Sequence, residues 1–295
     1  MDFIIKNTKS LNYRLFKDKL FYYLIIIISA ITIVPVLLIL AKLFIKGYRQ
    51  INLSFFTEVA PNTLEAMTAV ANNEIIPGGI LNGITGSIFM VLIASVIAVP
   101  IGILTGIYLS ENQDKIYTNL IRTLTDILQG VPSIVLGIIG YIWIVKAVTN
   151  GFSALAGGFS LSIMMLPLII RSTEETLKMI PESIKEAGLA LGVPYHKVIF
   201  KLLLPTGLSG LLTGVLLSVS RILGETAPLI LTALGSYAIN WNIEKPTSAI
   251  PLLIWEFYND PNLINLIWSS SLLLMIFVLA INIIAKRISA KYKTY

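Results

Sequence analysis

The sequence predicts an all-α, polytopic membrane protein of six transmembrane helices, and three observations carry that reading. Apolar residues fill 56% of the 295 positions and charged residues only 13%, with a mean hydropathy of +0.83, too little polarity to clothe a soluble domain. Apolar runs long enough to cross a bilayer recur along the chain. The 22 Lys and Arg residues sit in short segments flanking those runs, so the net charge of +6 reports membrane topology and not nucleic-acid binding. The absence of cysteine and the single histidine, His196, argue against disulfides, clustered metal ligands and Ser-His-Asp chemistry.

Lys6, Lys9, Arg14, Lys17 and Lys19 precede the first apolar run, 21–40, which is too long for a signal-peptide core and lacks a small-residue cleavage site. It reads as an uncleaved span interrupted by Pro35. The chain then turns polar to about Gly79, an extracytoplasmic loop with room for one short helix. In the second span, 80–109, Gly86, Ala94, Ala98, Gly102, Gly106 and Ser110 fall on one four-residue ladder broken only by Met90. Small residues at that spacing let helix backbones approach, so this face should meet protein and not lipid.

The third span begins near Asp126 and runs through Gln129, Gly130 and Pro132 to about Val148. Arg122 and Asp126 stand four apart at its entrance and are expected to form an interfacial pair. The fourth, 159–170, is short and closed by Arg171, after which a polar helical stretch is expected up to Lys178. The fifth is 208–234, followed by a polar loop to Asn262, and the sixth is 263–285. With this topology sixteen of the Lys and Arg residues lie inside, five outside and Arg221 within the membrane, which puts both termini in the cytoplasm.

Two stretches carry chemistry. In the loop 181–205, Pro181 and the Ser183 to Glu186 spacing suggest a capped helix start. Ile184, Ala187 and Leu191 recur at helical spacing, and Gly192 and Pro194 stop the helix. Val198, Ile199, Leu202 and Leu203 form a second apolar stripe. Such a knob either docks into a groove on a partner or folds back on the membrane helices. In the fifth span, Arg221 and Glu225 share one face near mid-bilayer, roughly 20 Å from Leu208 at 1.5 Å per residue. Pro228 should kink the helix at Gly224. An ionisable pair beside a disrupted helix is either a structural ion pair or part of a transport site, where the planar fork of Arg suits a tetrahedral oxyanion.

The residues Glu186-Ala187-Gly188, then Gly192, then Leu202-Leu203-Leu204-Pro205 resemble the EAA loop of ABC importer permeases, with Gly188 standing for Ala and Leu202 for Ile. The run Arg221-Ile222-Leu223-Gly224-Glu225-Thr226-Ala227-Pro228-Leu229 is similar to the signature of phosphate ABC importer permeases of the PstA type. Gly78-Gly79-Ile80, Ile107 to Glu111, Gly130 to Val135, Leu166-Pro167 and Arg171 to Glu175 extend the resemblance over about 78–231.

That resemblance implies a type I importer (MetI-like) core. Residues 1–79 would hold the cytoplasmic N-terminal segment, first helix and outer loop, residues 80–285 the permease domain, and residues 286–295 a basic cytoplasmic tail. It implies a bacterial or archaeal cell-membrane protein that imports inorganic phosphate with a second permease of the PstC type. Two ATP-binding subunits of the PstB type would dock at Glu186, Ala187, Gly188, Gly192, Leu202, Leu204 and Pro205, and an extracytoplasmic phosphate-binding protein of the PstS type would deliver substrate. Arg221, Gly224, Glu225, Thr226 and Pro228 would line the path. No cofactor is expected on this chain: it has no phosphate-binding Gly-Lys motif, so ATP would be used by the partner subunit. A permease for molybdate or sulfate, and more remotely an intramembrane enzyme using Glu225 or Asp126, are the competing readings.

Overall fold

Helices carry the chain from end to end in the computed structural model, which describes residues 2–291 apart from Asn73 and Asp114, with side chains from Tyr13 onward. The charges of Lys6, Lys9 and Lys293 that enter the topology fall outside the described side chains. Helix α1, Asp2–Gly47, runs through Pro35 without interruption, contrary to expectation. One missing amide bond is a smaller cost than freeing a whole turn of backbone in an apolar setting. At 46 residues it is about 69 Å long by helical rise, more than twice the bilayer core. Its far end is fixed: Ser269 donates to the Gly47 carbonyl at 2.6 Å, and Lys42 and Lys46 lie over the Trp268 ring.

The polar stretch that follows holds two short helices where one was expected, α2 (Leu53–Thr57) and α3 (Thr63–Ala71). Asn52 and Asn62 cap them by accepting from backbone amides, as short polar side chains do at helix starts. Phe55, Ala66, Ile76 and Ile80 close over an apolar cluster with Leu253 and Phe257. The next four helices are α4 (Leu81–Glu111), α5 (Ile116–Gly130), α6 (Ser133–Gly140, continued by π-helical turns over Tyr141–Thr149) and α7 (Ala154–Lys178).

Helices α4 and α7 form the spine of the bundle. The whole small-residue ladder of α4, Gly86 to Ser110 with Met90, is buried. A Cβ on Gly102 would lie 2.7 Å from Ile169, and one on Gly106 2.5 Å from Thr173 and 2.8 Å from the Ile170 carbonyl. From the other side, a Cβ on Gly158 would lie 2.6 Å from Ile93. The expectation that this face meets protein holds.

Three expectations for this region fail. The third span is not one helix: α5 and the Ser133–Thr149 helix meet at 103°, with the break at Val131 and Pro132. Pro132 has no amide to offer and biases Val131 to an extended backbone, so the chain turns there. Helix α5 escaped the sequence reading because it is amphipathic, with Ile116, Leu120, Leu124 and Ile127 exposed along one side. The fourth span is not short: its helix is 25 residues long, beginning at Ala154 and running without a break into the helical stretch expected up to Lys178. Arg122 and Asp126 do not pair with each other. Arg122 bonds Glu174 at 2.7 Å and Asp126 meets Arg171 at 3.3 Å, so both are taken by α7. Glu174 is buried and also holds Lys178, and a buried carboxylate claims cations ahead of an exposed one.

The chain continues through α8 (Glu182–Ala190), α9 (Tyr195–Val198), π-helical turns over Ile199–Leu203, α10 (Leu204–Thr206), α11 (Leu208–Ile222), α12 (Ala227–Ile230), α13 (Ile250–Tyr258) and α14 (Ile264–Lys291). Helix α13 stands inside the stretch read as a polar loop. At nine residues it is too short to span, and it seats Leu253 where a Cβ on Gly83 would lie 2.5 Å away. Among the described residues, four helices are long and apolar enough to cross a membrane, or six with each bent pair counted as one span. The chain is a multi-pass membrane protein.

Gly106→Leu should force α4 from α7 and cost about 1–3 kcal/mol, since neither Thr173 nor the Ile170 backbone can yield. Gly130→Ala, with open space around it, should leave the melting temperature in detergent unchanged. Thermal unfolding of the two variants side by side checks this.

Candidate functional site

Helix α11 crosses the bundle against α7 by the same device as α4. Gly210 faces Thr176 and Gly214 faces Ser172, each so close that a Cβ would lie 2.3 Å and 2.1 Å from the hydroxyl opposite. Ser220 reaches Asn282 of α14 at 3.2 Å. Fifteen residues rise only about 22 Å, short of the bilayer core, and there the helix stops.

Pro228 does not kink a continuous helix. The helix ends at Ile222, residues 223–226 are non-helical, and Pro228 occupies the first turn of α12, where its missing amide would have had no helical partner. The break is held from outside. Leu229 and Ile222 are buried in the main core, and a Cβ on Gly137 of α6 would come 2.7 Å from the Pro228 backbone. Gly224, by contrast, stands in open space, the nearest atom to an added Cβ being 3.8 Å away. Its lack of a side chain is not required by packing within this chain.

Arg221 occupies the last turn of α11, where a cation faces the negative end of the helix dipole. Its Nε is 3.9 Å from Glu225 Oε1, too long for a charge-assisted hydrogen bond, and the Arg221 side chain is 42% exposed. The pair is loose, and much of the Arg221 side chain is exposed. Thr226 is half-buried beside Ala227, Pro251 and Trp255 in an apolar groove. The structure thus brings Arg221, Glu225, Thr226 and Pro228 together at one helix break, with Gly224 inside it.

The loop 181–205 forms the second constellation. Helix α8 starts at Glu182 with Pro181 at its N-cap and no side-chain cap, so the capping box expected from Ser183 is absent. Gly192 adopts φ +75°, the left-handed stop expected after α8. The two apolar stripes part company. Val198, Ile199 and Leu203 fold back onto Ile107 and Leu177, with Leu202 and Leu204 packed at the edge. Leu191 is 84% exposed, and Glu186, Ala187 and Pro205 also face outward. Gly188 is buried where α8 crosses the second helix, and a Cβ there would lie 3.3 Å from Leu202 and Val198. Ile184, Ala187, Leu191 and Val198 line an open apolar groove edged by Lys197 and Lys201.

Sequence reasoning passed over the charges that fix this loop. Glu111, at the end of α4, accepts hydrogen bonds from Lys185 of α8 and Tyr195 of α9. Its partners lie 74 and 84 residues away, and no local spacing announces them.

Comparison with known proteins gives this geometry a context. Residues 98–293 match the family model described as the binding-protein-dependent transport system inner membrane component. The chain is 37% identical over 251 residues to the phosphate transport system permease protein PstA of Haemophilus influenzae, covering 84% of this chain and 85% of that one. It is 39% identical over 251 residues to PstA of Yersinia pestis, covering 84% and 81%. Among solved structures, a chain of the MetNI methionine ABC transporter in an inward-facing conformation superposes with a TM-score of 0.56 at 22% identity, over 72% of this chain and 93% of that one. That likeness establishes the fold.

Gly188→Ala should be accommodated by a few tenths of an ångström of movement in Leu202 and Val198, whereas Gly188→Leu should push α8 off the second helix. Limited proteolysis of the detergent-solubilised protein checks this. The Leu variant should be cut within 182–205 at least threefold faster than the parent, and the Ala variant at the parental rate.

Proposed function

We propose, for a chain that belongs to the binding-protein-dependent transport system inner membrane components and, among them, to the PstA-type phosphate permeases, that the helix break after Arg221 is its half of the phosphate path. The chain is a membrane permease subunit and not an enzyme. A second permease of the PstC type would supply the other half, two PstB-type subunits would hydrolyse ATP, and a PstS-type binding protein would deliver phosphate from outside.

The observation that carries this reading is the state of Arg221. A cation within an apolar bundle is costly unless it is paired or functional, and a tight ion pair would be the structural solution. Glu225 lies too far for that, leaving a half-exposed planar fork beside a break in the backbone. Two parallel donors fit two oxygens of a tetrahedral anion better than a point charge does. Helix breaks beside charged groups are the usual construction of a site that binds and releases ions within a membrane. Glu225 would hold Arg221 in place while the anion is away.

Docking of the ATPase subunit is assigned to the outward half of the 181–205 loop, with Glu186, Ala187 and Leu191 at its face and Gly188, Gly192, Leu202, Leu204 and Pro205 shaping it. The exposed apolar groove supports this, because an apolar surface of that kind outside the membrane calls for a partner. The same reading places both termini and the loop in the cytoplasm, since the basic residues concentrate at that end.

Uptake measurements check the path, and thiol labelling checks the topology. Arg221→Lys should keep normal assembly with the partner subunits yet lower phosphate uptake at least tenfold in reconstituted vesicles. The double variant Arg221→Gln with Glu225→Gln should assemble and stay inactive; uptake at the parental rate would leave the pair as structural only. Sulfate and molybdate, run as parallel substrates, should be carried poorly by the parent. For topology, cysteines at Asn62 and Asn242 should react with an impermeant thiol reagent in intact cells, while one at Leu191 should react only after permeabilisation.

A further inference from the structure

The 181–205 loop follows α7 and precedes α11 in the chain, so those two helices receive its movement through the backbone. Helix α4 does not. It ends at Glu111, 71 residues before α8 begins at Glu182, and it is nevertheless the helix in most extensive contact with α7.

We propose that Glu111 is a positioning residue for transport, tying both helices of the loop to the end of α4 and so delivering the loop's displacement to the α4–α7 spine. The proposal rests on the reading of the loop as the ATPase dock. The Glu111 side chain is 11% exposed and that of Lys185 23%, so the ion pair is partly shielded and screened less by salt than a fully exposed pair. Tyr195 adds a second bond to the same carboxylate oxygen, and Lys185 lies over the Tyr195 ring. One oxygen therefore fixes α8 and α9 in relation to each other as well as to α4. Burial opposes charge on Lys185, but the Glu111 carboxylate more than offsets this and holds the ammonium above its ordinary pKa; burial and the same carboxylate raise the Tyr195 phenol. Both donors keep their protons throughout the physiological range.

On the α4 side the tie ends on a braced point. Arg122 donates to the Leu109 carbonyl at 3.2 Å and to Glu174 of α7 at 2.7 Å, so the last turn of α4 cannot move without α7. The apolar contact of Ile107 with Leu177 and Val198 keeps the surfaces together. Apolar contacts slide, whereas two directed hydrogen bonds transmit a pull. A polar recess of about 540 Å³, bounded by Glu111, Lys178, Pro181, Glu182 and Lys185, leaves α8 space in which to tilt about this point.

The test is Glu111→Gln in the complete complex, compared with Glu111→Lys paired with Lys185→Glu. In the single variant, hydrogen exchange of backbone amides over 182–198 should quicken at least threefold, with 160–170 unchanged. The ATPase subunit should stay bound, and phosphate imported per ATP hydrolysed should fall at least threefold. The reversed pair should restore that ratio to within twofold of the parent. A purely supporting role for Glu111 would change exchange and melting temperature without changing the ratio, and that result overturns the proposal. Unaltered exchange in E111Q overturns it too, by removing the tie. Failure of the parental chain to retain any ATPase subunit would be a failure of the docking reading, distinguishable because it appears before any substitution is made.

Discussion

The close approach of α4 and α7 is the constraint on which the remaining structure depends. Lipid tails are as apolar as the side chains they meet, so there is no hydrophobic drive to press two membrane helices together, and association rests on packing at short range. Gly102 and Gly106 on one helix and Gly158 on the other remove the side chains that would hold the backbones apart. The same device then recurs at lower cost in sequence. Gly210 and Gly214 bring α11 to α7, and Gly137 brings α6 to Pro228. Helix α7 is contacted on several sides and is accordingly the most thoroughly buried of the spanning helices.

A bundle braced in this way can hold irregular backbone where an isolated helix could not. Non-helical backbone survives at membrane depth only where protein surrounds it or a cavity solvates it. The non-helical stretch 223–226 meets that condition: Ile222 and Leu229 anchor its two sides in the main core while Arg221 and Glu225 face out of it. The rigid frame and the loosely held charge pair belong together. An anion site needs donors fixed in space but not consumed by one another.

Charge is used differently at the end of the bundle that carries the loop. There Glu174 gathers Arg122 and Lys178, and Glu111 gathers Lys185 and Tyr195. Each carboxylate joins elements far apart in the chain, and each is more buried than its basic partners. Such knots contribute little net stability, because desolvation offsets much of the attraction, but they fix which helix ends lie side by side. Apolar contact alone, as in the Ile107, Leu177 and Val198 cluster, leaves that register loose.

The sequence by itself determined what depends on composition and local period. The membrane class, the small-residue face of α4, the left-handed stop at Gly192, the final helix and the residues flanking the break at Pro228 were all legible, because each is set by chemistry within a few residues. Only the tertiary structure decided the rest. Arg122 had an acidic neighbour four residues away and chose one 52 away, since a buried carboxylate on α7 outcompetes an exposed one on the same helix. Pro132 and Pro228 stand at the start of new helices, whereas Pro35, Pro100 and Pro167 lie inside continuous ones, so proline alone did not decide where the chain breaks. Which apolar stripe of the loop turned inward followed from the placement of Ile107 and Leu177, distant in sequence and brought beneath Val198 by the packing of α4 on α7.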